Sequence, residues 1–145
     1  MQNNPNLESL YRPLWLTYGL VPLLAGLDKF FNLLTDWPKY LSPWMANLLP
    51  MPAQTFMYIV GVIEILAGLM VLTRWTRIGA WIVTAWLVLI AVNLATMGLF
   101  DIAVRDLAMA VGASTLARLA ALRQENPRQE NPATAPAAGL RERRV

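Results

Sequence analysis

The sequence predicts an all-α integral membrane protein, an up-and-down bundle of four transmembrane helices. Three observations carry that expectation. Apolar residues make up 57% of the 145-residue chain and charged residues only 14%, with a mean hydropathy of +0.43, far from the balance of an ordinary soluble globule. Four stretches, at residues 14–34, 53–73, 78–99 and 102–122, each hold the roughly 20 mainly apolar residues that cross a hydrocarbon core. The links between the last three are too short for anything but antiparallel helical hairpins.

Residues 1–12 are polar and lack the basic lead, short apolar core and small-residue cleavage site of a removable signal, so they read as a cytoplasmic N-terminal segment. The first span follows at 14–34. Residues 35–52 form an outer loop rich in proline and aromatic residues, where Trp37, Tyr40 and Trp44 suit the water–lipid boundary. A short helix lying flat is expected there, as an interface anchor or as a lid over a site between the helices. The second and third spans are joined at residues 74–77, whose two arginines favour the inner surface. Between the third and fourth, Gly98 is placed to end one helix and Asp101 to cap the next. From residue 123 the composition turns to Gln, Glu, Asn, Pro, Ala and Arg, with RQENP repeated at 123–127 and 128–132; residues 123–145 read as a disordered cytoplasmic tail.

The basic residues also set the orientation. Arg12, Arg74, Arg77, Arg118, Arg123 and Arg128 fall on one side, against Lys29, Lys39 and Arg105 toward the other, which predicts an inner-membrane protein with both termini cytoplasmic. The chain has no Cys and no His. It therefore has no thiol for disulfide exchange and none of the usual ligands for haem, iron–sulfur clusters, zinc or copper, so no metal site and no covalently bound cofactor is expected. Any redox centre comes from a diffusible molecule or a partner.

Glu64 is the most informative residue, a lone charge in the apolar run at residues 56–73. A charge at mid-membrane costs roughly 2.5–3.5 kcal/mol on insertion scales, so it should face a protein interior with a partner. Counting about 1.5 Å of rise per residue puts Asp28, Lys29, Asn93, Arg105 and Asp106 in one layer toward the outer side, with Glu64 beneath it. Neighbours on a helix point about 100° apart, so each charge needs a partner from another helix. The simplest closed set pairs Arg105 with Asp28 or Glu64, and Lys29 with Asp106 or Glu64, leaving one acid over; Glu64 is expected to be that acid. Gly61, Glu64, Ile65 and Gly68 share one face, and small residues there admit a close neighbour. Trp86 falls on an inward face of the third span, where it is expected to pack. The cluster has two readings. It fixes helix register as an internal polar network, or it binds a polar head group or relays protons. A quinone head, with two carbonyl oxygens, would suit Lys29, Asn93 and Arg105 as donors.

The segments Gly26-Leu-Asp-Lys-Phe30, Gly61-Val-Ile-Glu-Ile-Leu-Ala-Gly-Leu69, Arg77-Ile-Gly-Ala80 and Ala103-Val-Arg-Asp-Leu107 together resemble the DoxX-like family of small four-span membrane proteins, over about residues 10–122. The resemblance implies a four-helix bundle and an association with respiratory redox chemistry, with Lys29, Glu64, Arg105 and Asp106 at the motif positions. More distant redox relatives with this bundle use cysteine pairs, and this chain has none.

The leading expectation is a membrane accessory subunit of a quinone-linked redox system, not an enzyme on its own. Its expected contacts are the lipid bilayer, a redox partner protein and a second copy of the chain, with no nucleic acid. Two alternatives belong to other classes: a small proton-coupled transporter, and a membrane scaffold for a cytoplasmic partner.

Overall fold

The computed structural model describes residues 5–129, with side chains at residues 7–124. Four long helices dominate: α1 (Pro5–Asp28), α3 (Ala53–Leu72), α4 (Thr76–Thr96) and α5 (Phe100–Gln129), with a 3₁₀ turn (Trp37–Tyr40) and the short α2 (Pro43–Leu48) between α1 and α3. No strand occurs among the described residues. Helices α1 and α3 pack together extensively, as do α4 and α5, with α3 on α4 and α1 on α5 closing the set. Gly19 faces Gly68 and Gly26 faces Gly61, so α1 and α3 run antiparallel.

The small residues explain how closely these two helices approach. A β-carbon added at Gly26 would lie 2.6 Å from the carbonyl oxygen of Gly61, and one added at Gly61 would lie 2.7 Å from that of Gly26. One added at Gly68 would lie 2.6 Å from the carbonyl oxygen of Gly19. Backbone therefore meets backbone, and side-chain packing takes the place of hydrophobic exclusion as the source of helix association.

The distribution of side chains is inverted relative to a water-soluble protein. The enclosed core is built largely of small residues, Ala67, Ala80, Ala113, Ala117 and Ala120, around Tyr11, Tyr18, Val71 and Leu116. Large apolar residues cover the outside instead: Leu16, Leu20 and Leu24 on α1, Ile59, Val62 and Leu66 on α3, Leu89 and Val92 on α4, Val104 and Val111 on α5. An apolar surface of this extent is stable only against lipid or another apolar partner. Helices α3 and α4 are long and apolar enough to cross a membrane, with mean hydropathies of 2.2 and 2.1. Helices α1 and α5 carry more polar residues, Glu8 and Arg12 in the one and Asp101, Arg105, Asp106 and Arg118 in the other, and do not meet that test.

Some boundaries differ from expectation, each for a local reason. Helix α1 stops at Asp28 rather than running to residue 34. The Asp28 carboxylate accepts from the amides of Leu33 (3.0 Å) and Leu34 (3.1 and 3.2 Å), and Asn32 turns the chain with φ 52°. The following Phe31, Leu33 and Leu34 are exposed, so the apolar run continues past the helix as surface. In the loop between α1 and α3 the short helix exists, capped by Ser42, whose hydroxyl accepts from the Met45 amide at 3.2 Å. Helix α4 ends as expected near Gly98 (φ 76°), where Gly98 N–H bonds Ala95 C=O and the N–H groups of Met97 and Leu99 both bond Leu94 C=O. Asp101, in contrast, lies within the first turn of α5, where it complements the helix dipole rather than capping it. Helix α5 continues through Gln129, so the expected disordered tail begins as helix, and residues 130–145 lie outside the described ones. Arg123 explains part of the extension: its guanidinium lies 4.7 Å over the Tyr11 ring and 3.4 Å from Glu8, tying α5 to the start of α1.

Candidate functional site

Lys29, just past the end of α1, reaches across to Glu64 in the middle of α3. Its Nζ lies 2.6 Å from Glu64 Oε2, and the two residues are only 3% and 6% exposed. The other carboxylate oxygen, Oε1, accepts from the Trp86 indole at 3.3 Å, so α4 contributes to the same unit. From the loop, Trp37 lays its ring 3.7 Å from the ammonium and donates its indole N–H to Asp28 Oδ2 at 2.8 Å. One aromatic side chain thus stabilises a cation through its face and an anion through its edge. Gln54 completes the enclosure, donating to the Lys29 carbonyl at 3.3 Å and accepting from Asn32 at 3.2 Å.

Withdrawing both charges from water is expensive, and only mutual attraction with further hydrogen bonds offsets it. Here that condition is met: among the described residues no fully buried side-chain nitrogen or oxygen lacks a hydrogen-bond partner.

The six residues singled out in the sequence therefore separate into groups. Lys29 and Glu64 pair, which was one of the two expected partners for Lys29. Glu64 is consequently not the acid left over. Asp28 meets neither Arg105 nor another cation from a different helix; its carboxylate is occupied by the loop amides and Trp37. Asn93 serves the loop as well, accepting from the Ser42 amide at 3.1 Å and donating to the Tyr40 carbonyl at 2.6 Å. Arg105 is exposed on the outside of α5 and makes no ion pair among the described residues. Asp106, beside it in sequence, is half-buried and, like Asp28, makes no ion pair among the described residues. Lys29, Asn93 and Arg105 do not converge on one point, so the three-donor arrangement expected for a quinone is not assembled.

Trp37, expected in a loop that serves as an interface anchor or as a lid, lies nine residues after Asp28, which lets the loop fold back over the pair. Trp86 was read as packing; its place on the inward face at Glu64's depth was visible, but an indole that packs and one that donates look identical in sequence.

Beneath the pair lies a small cavity of about 90 Å³ between α1, α3, α4 and α5. Its lining is almost wholly apolar apart from Glu64, with Tyr18 and Trp86 as aromatic walls, and the exposed Thr17 and Val21 stand at its edge. Tyr18 is held by a 2.7 Å hydrogen bond from its hydroxyl to the Met109 carbonyl, its ring against Gly112. Pro22, which also lines the cavity, has no N–H to give the Tyr18 carbonyl, so α1 lacks one rung at this height. No group of His, Cys, Asp and Glu suited to a metal ion occurs among the described residues.

No curated protein and no solved structure matches the chain. The family model described as DoxX matches residues 14–97, from α1 through the end of α4, and so includes Lys29, Glu64 and Trp86 while leaving out the α5 segment with Arg105 and Asp106. That match spans more than half of the sequence and agrees with helices that are apolar outside and small-residued inside: the chain is a helical membrane protein belonging to the DoxX family.

Proposed function

We propose that the four long helices all span the inner membrane, with both termini cytoplasmic, and that the protein is an accessory subunit of a quinone-linked redox system. The observation that supports a ligand role is the cavity beside Glu64, where an apolar, aromatic-walled space meets a buried ion pair and an indole donor. Those walls suit a flat apolar ring, and Trp86 Nε1, turned from Glu64, would hold a carbonyl at its edge. A quinone supplies the electron carrier that a chain without Cys or His lacks. At about 90 Å³ the space is smaller than the roughly 150 Å³ cavity known to accept benzene, so binding requires α1 to draw back from α4 and α5. The missing rung at Pro22 and the limited packing of α1 on α4 ease that movement.

The test is titration of a short-chain quinone analogue against the purified protein in mild detergent, read by tryptophan fluorescence. Trp86→Phe and Glu64→Gln are expected to weaken binding about tenfold, the loss of a hydrogen bond to a charged or carbonyl group. Arg105→Ala is expected to leave it unchanged. Identical titrations in wild type, Trp86→Phe and Glu64→Gln, with normal protein levels, exclude the reading. A second reading is a proton-coupled carrier, with the half-buried Asp106, which makes no ion pair among the described residues, and Glu64 as its acids. Solute flux into vesicles that vanishes in both Asp106→Asn and Glu64→Gln would select it.

A further inference from the structure

At the opposite end of the bundle from the Lys29 pair, where α1 begins and α3 turns into α4, lies a groove of about 810 Å³. Arg12, Arg74 and Arg123 line it together with a single carboxylate, Glu8. That carboxylate is shared: Oε1 lies 3.1 Å from Arg12 Nε and Oε2 lies 3.4 Å from the Arg123 guanidinium. Arg74 has no ion-pair partner among the described residues, so three cations face one anion. The floor is rigid. Tyr11, under Arg123, donates to Thr76 Oγ1 at 3.3 Å, and Trp15 donates its indole N–H to the Val71 carbonyl at 2.8 Å. Thr76 is the first residue of α4, whose free amides add positive potential at the same place.

We infer that this groove binds a phosphate-bearing anion, and that the anion is the headgroup of an acidic phospholipid. Guanidinium groups match phosphate oxygens in pairs, and the surplus of positive charge is balanced by one dianionic phosphate group and halved by a monoanionic one. The lipid source follows from the walls. Leu16 and Leu72 line the groove, and the exposed Leu20 and Leu24 extend the Leu16 side along α1, giving an acyl chain an apolar track leading away from the basic head site. Glu8 acts as the internal competitor, holding Arg12 and Arg123 in place when no ligand is bound.

The inference is independent of quinone binding and is tested on the full chain in non-ionic detergent. Dioctanoyl phosphatidic acid, dioctanoyl phosphatidylcholine and inorganic phosphate are titrated separately, with bound lipid counted by native mass spectrometry. Phosphatidic acid is expected to bind saturably and at least about tenfold more tightly than phosphatidylcholine. Arg74→Gln/Arg123→Gln is expected to remove that preference while the chain keeps its helical circular dichroism. Glu8→Gln is expected to tighten binding, a gain that a misfolded variant does not produce. Equal affinity for the two lipids, or a preference that survives the double substitution, overturns the site. Inorganic phosphate binding as tightly as phosphatidic acid, with the same arginine dependence, overturns the headgroup as the ligand.

Discussion

Replacing Glu64 by Gln keeps the side chain's shape and its acceptor for Trp86 but leaves the Lys29 ammonium enclosed, at 3% exposure, without a counter-charge. Breaking a buried pair from one side costs about 3–5 kcal/mol in soluble proteins. In a micelle the denatured chain also finds polar partners, which limits measured hydrogen-bond couplings between membrane helices to about 0.6 kcal/mol on average and about 1.7 at most. A full charge is involved here, so the expected loss lies between these bounds, at about 2–3 kcal/mol. Lys29→Met should cost a comparable amount, because Glu64 is then left with only the 3.3 Å Trp86 bond. The double variant, with neither charge, should recover to within about 1 kcal/mol of wild type. Equilibrium unfolding in mixed micelles, followed by helical circular dichroism, gives all four corners of this cycle. Single losses below about 0.5 kcal/mol that simply add in the double variant would mean the pair is not the enclosed unit described here.

Two further outcomes follow from the local geometry. Gly61→Ala puts a β-carbon 2.7 Å from the Gly26 carbonyl oxygen, and neither backbone can yield without separating α1 from α3; the expected cost is about 1–3 kcal/mol in the same unfolding assay, against almost none for Val62→Ala on the exposed face. Asp28→Ala removes the acceptor for Leu33, Leu34 and Trp37 together, so limited proteolysis should cut between residues 31 and 37 more readily while α3 and α4 stay protected.

Several parts of this fold were legible in the residues. The apolar runs at 53–73 and 78–99 correspond to α3 and α4 within a few residues, because long uninterrupted apolar segments have few other options. Glu64 pointed inward for the same reason that it stood out: lipid does not tolerate it. The Gly61/Gly68 face was visible on α3, although its matching face on α1, Gly19 and Gly26, with the same seven-residue spacing, went unread. The partner choices were harder. In Arg105-Asp106 the 100° turn between neighbours means that one side chain points in and one out, and periodicity alone does not say which. Asp28 illustrates a different difficulty. A carboxylate at a helix end satisfies loop amides as readily as it satisfies a distant cation, and the loop's path, which decides the matter, is set by the Trp37 and Asn93 contacts rather than by a pattern in sequence. The end of α1 was hidden because Phe31, Leu33 and Leu34 keep the composition apolar while the backbone has already turned.

The central proposal, that four antiparallel helices cross the membrane around an enclosed interior, is tested most directly by single-cysteine labelling, since the sequence has no cysteine to remove. Cysteines at Asn32 and Gly98 should react with a membrane-impermeant thiol reagent from the outer face of sealed vesicles, those at Arg74 and Gln124 only from the inner face, and one at the fully buried Ala113 from neither. Labelling of Asn32 and Gly98 from different faces, or of Arg74 and Gly98 from the same one, would contradict the account.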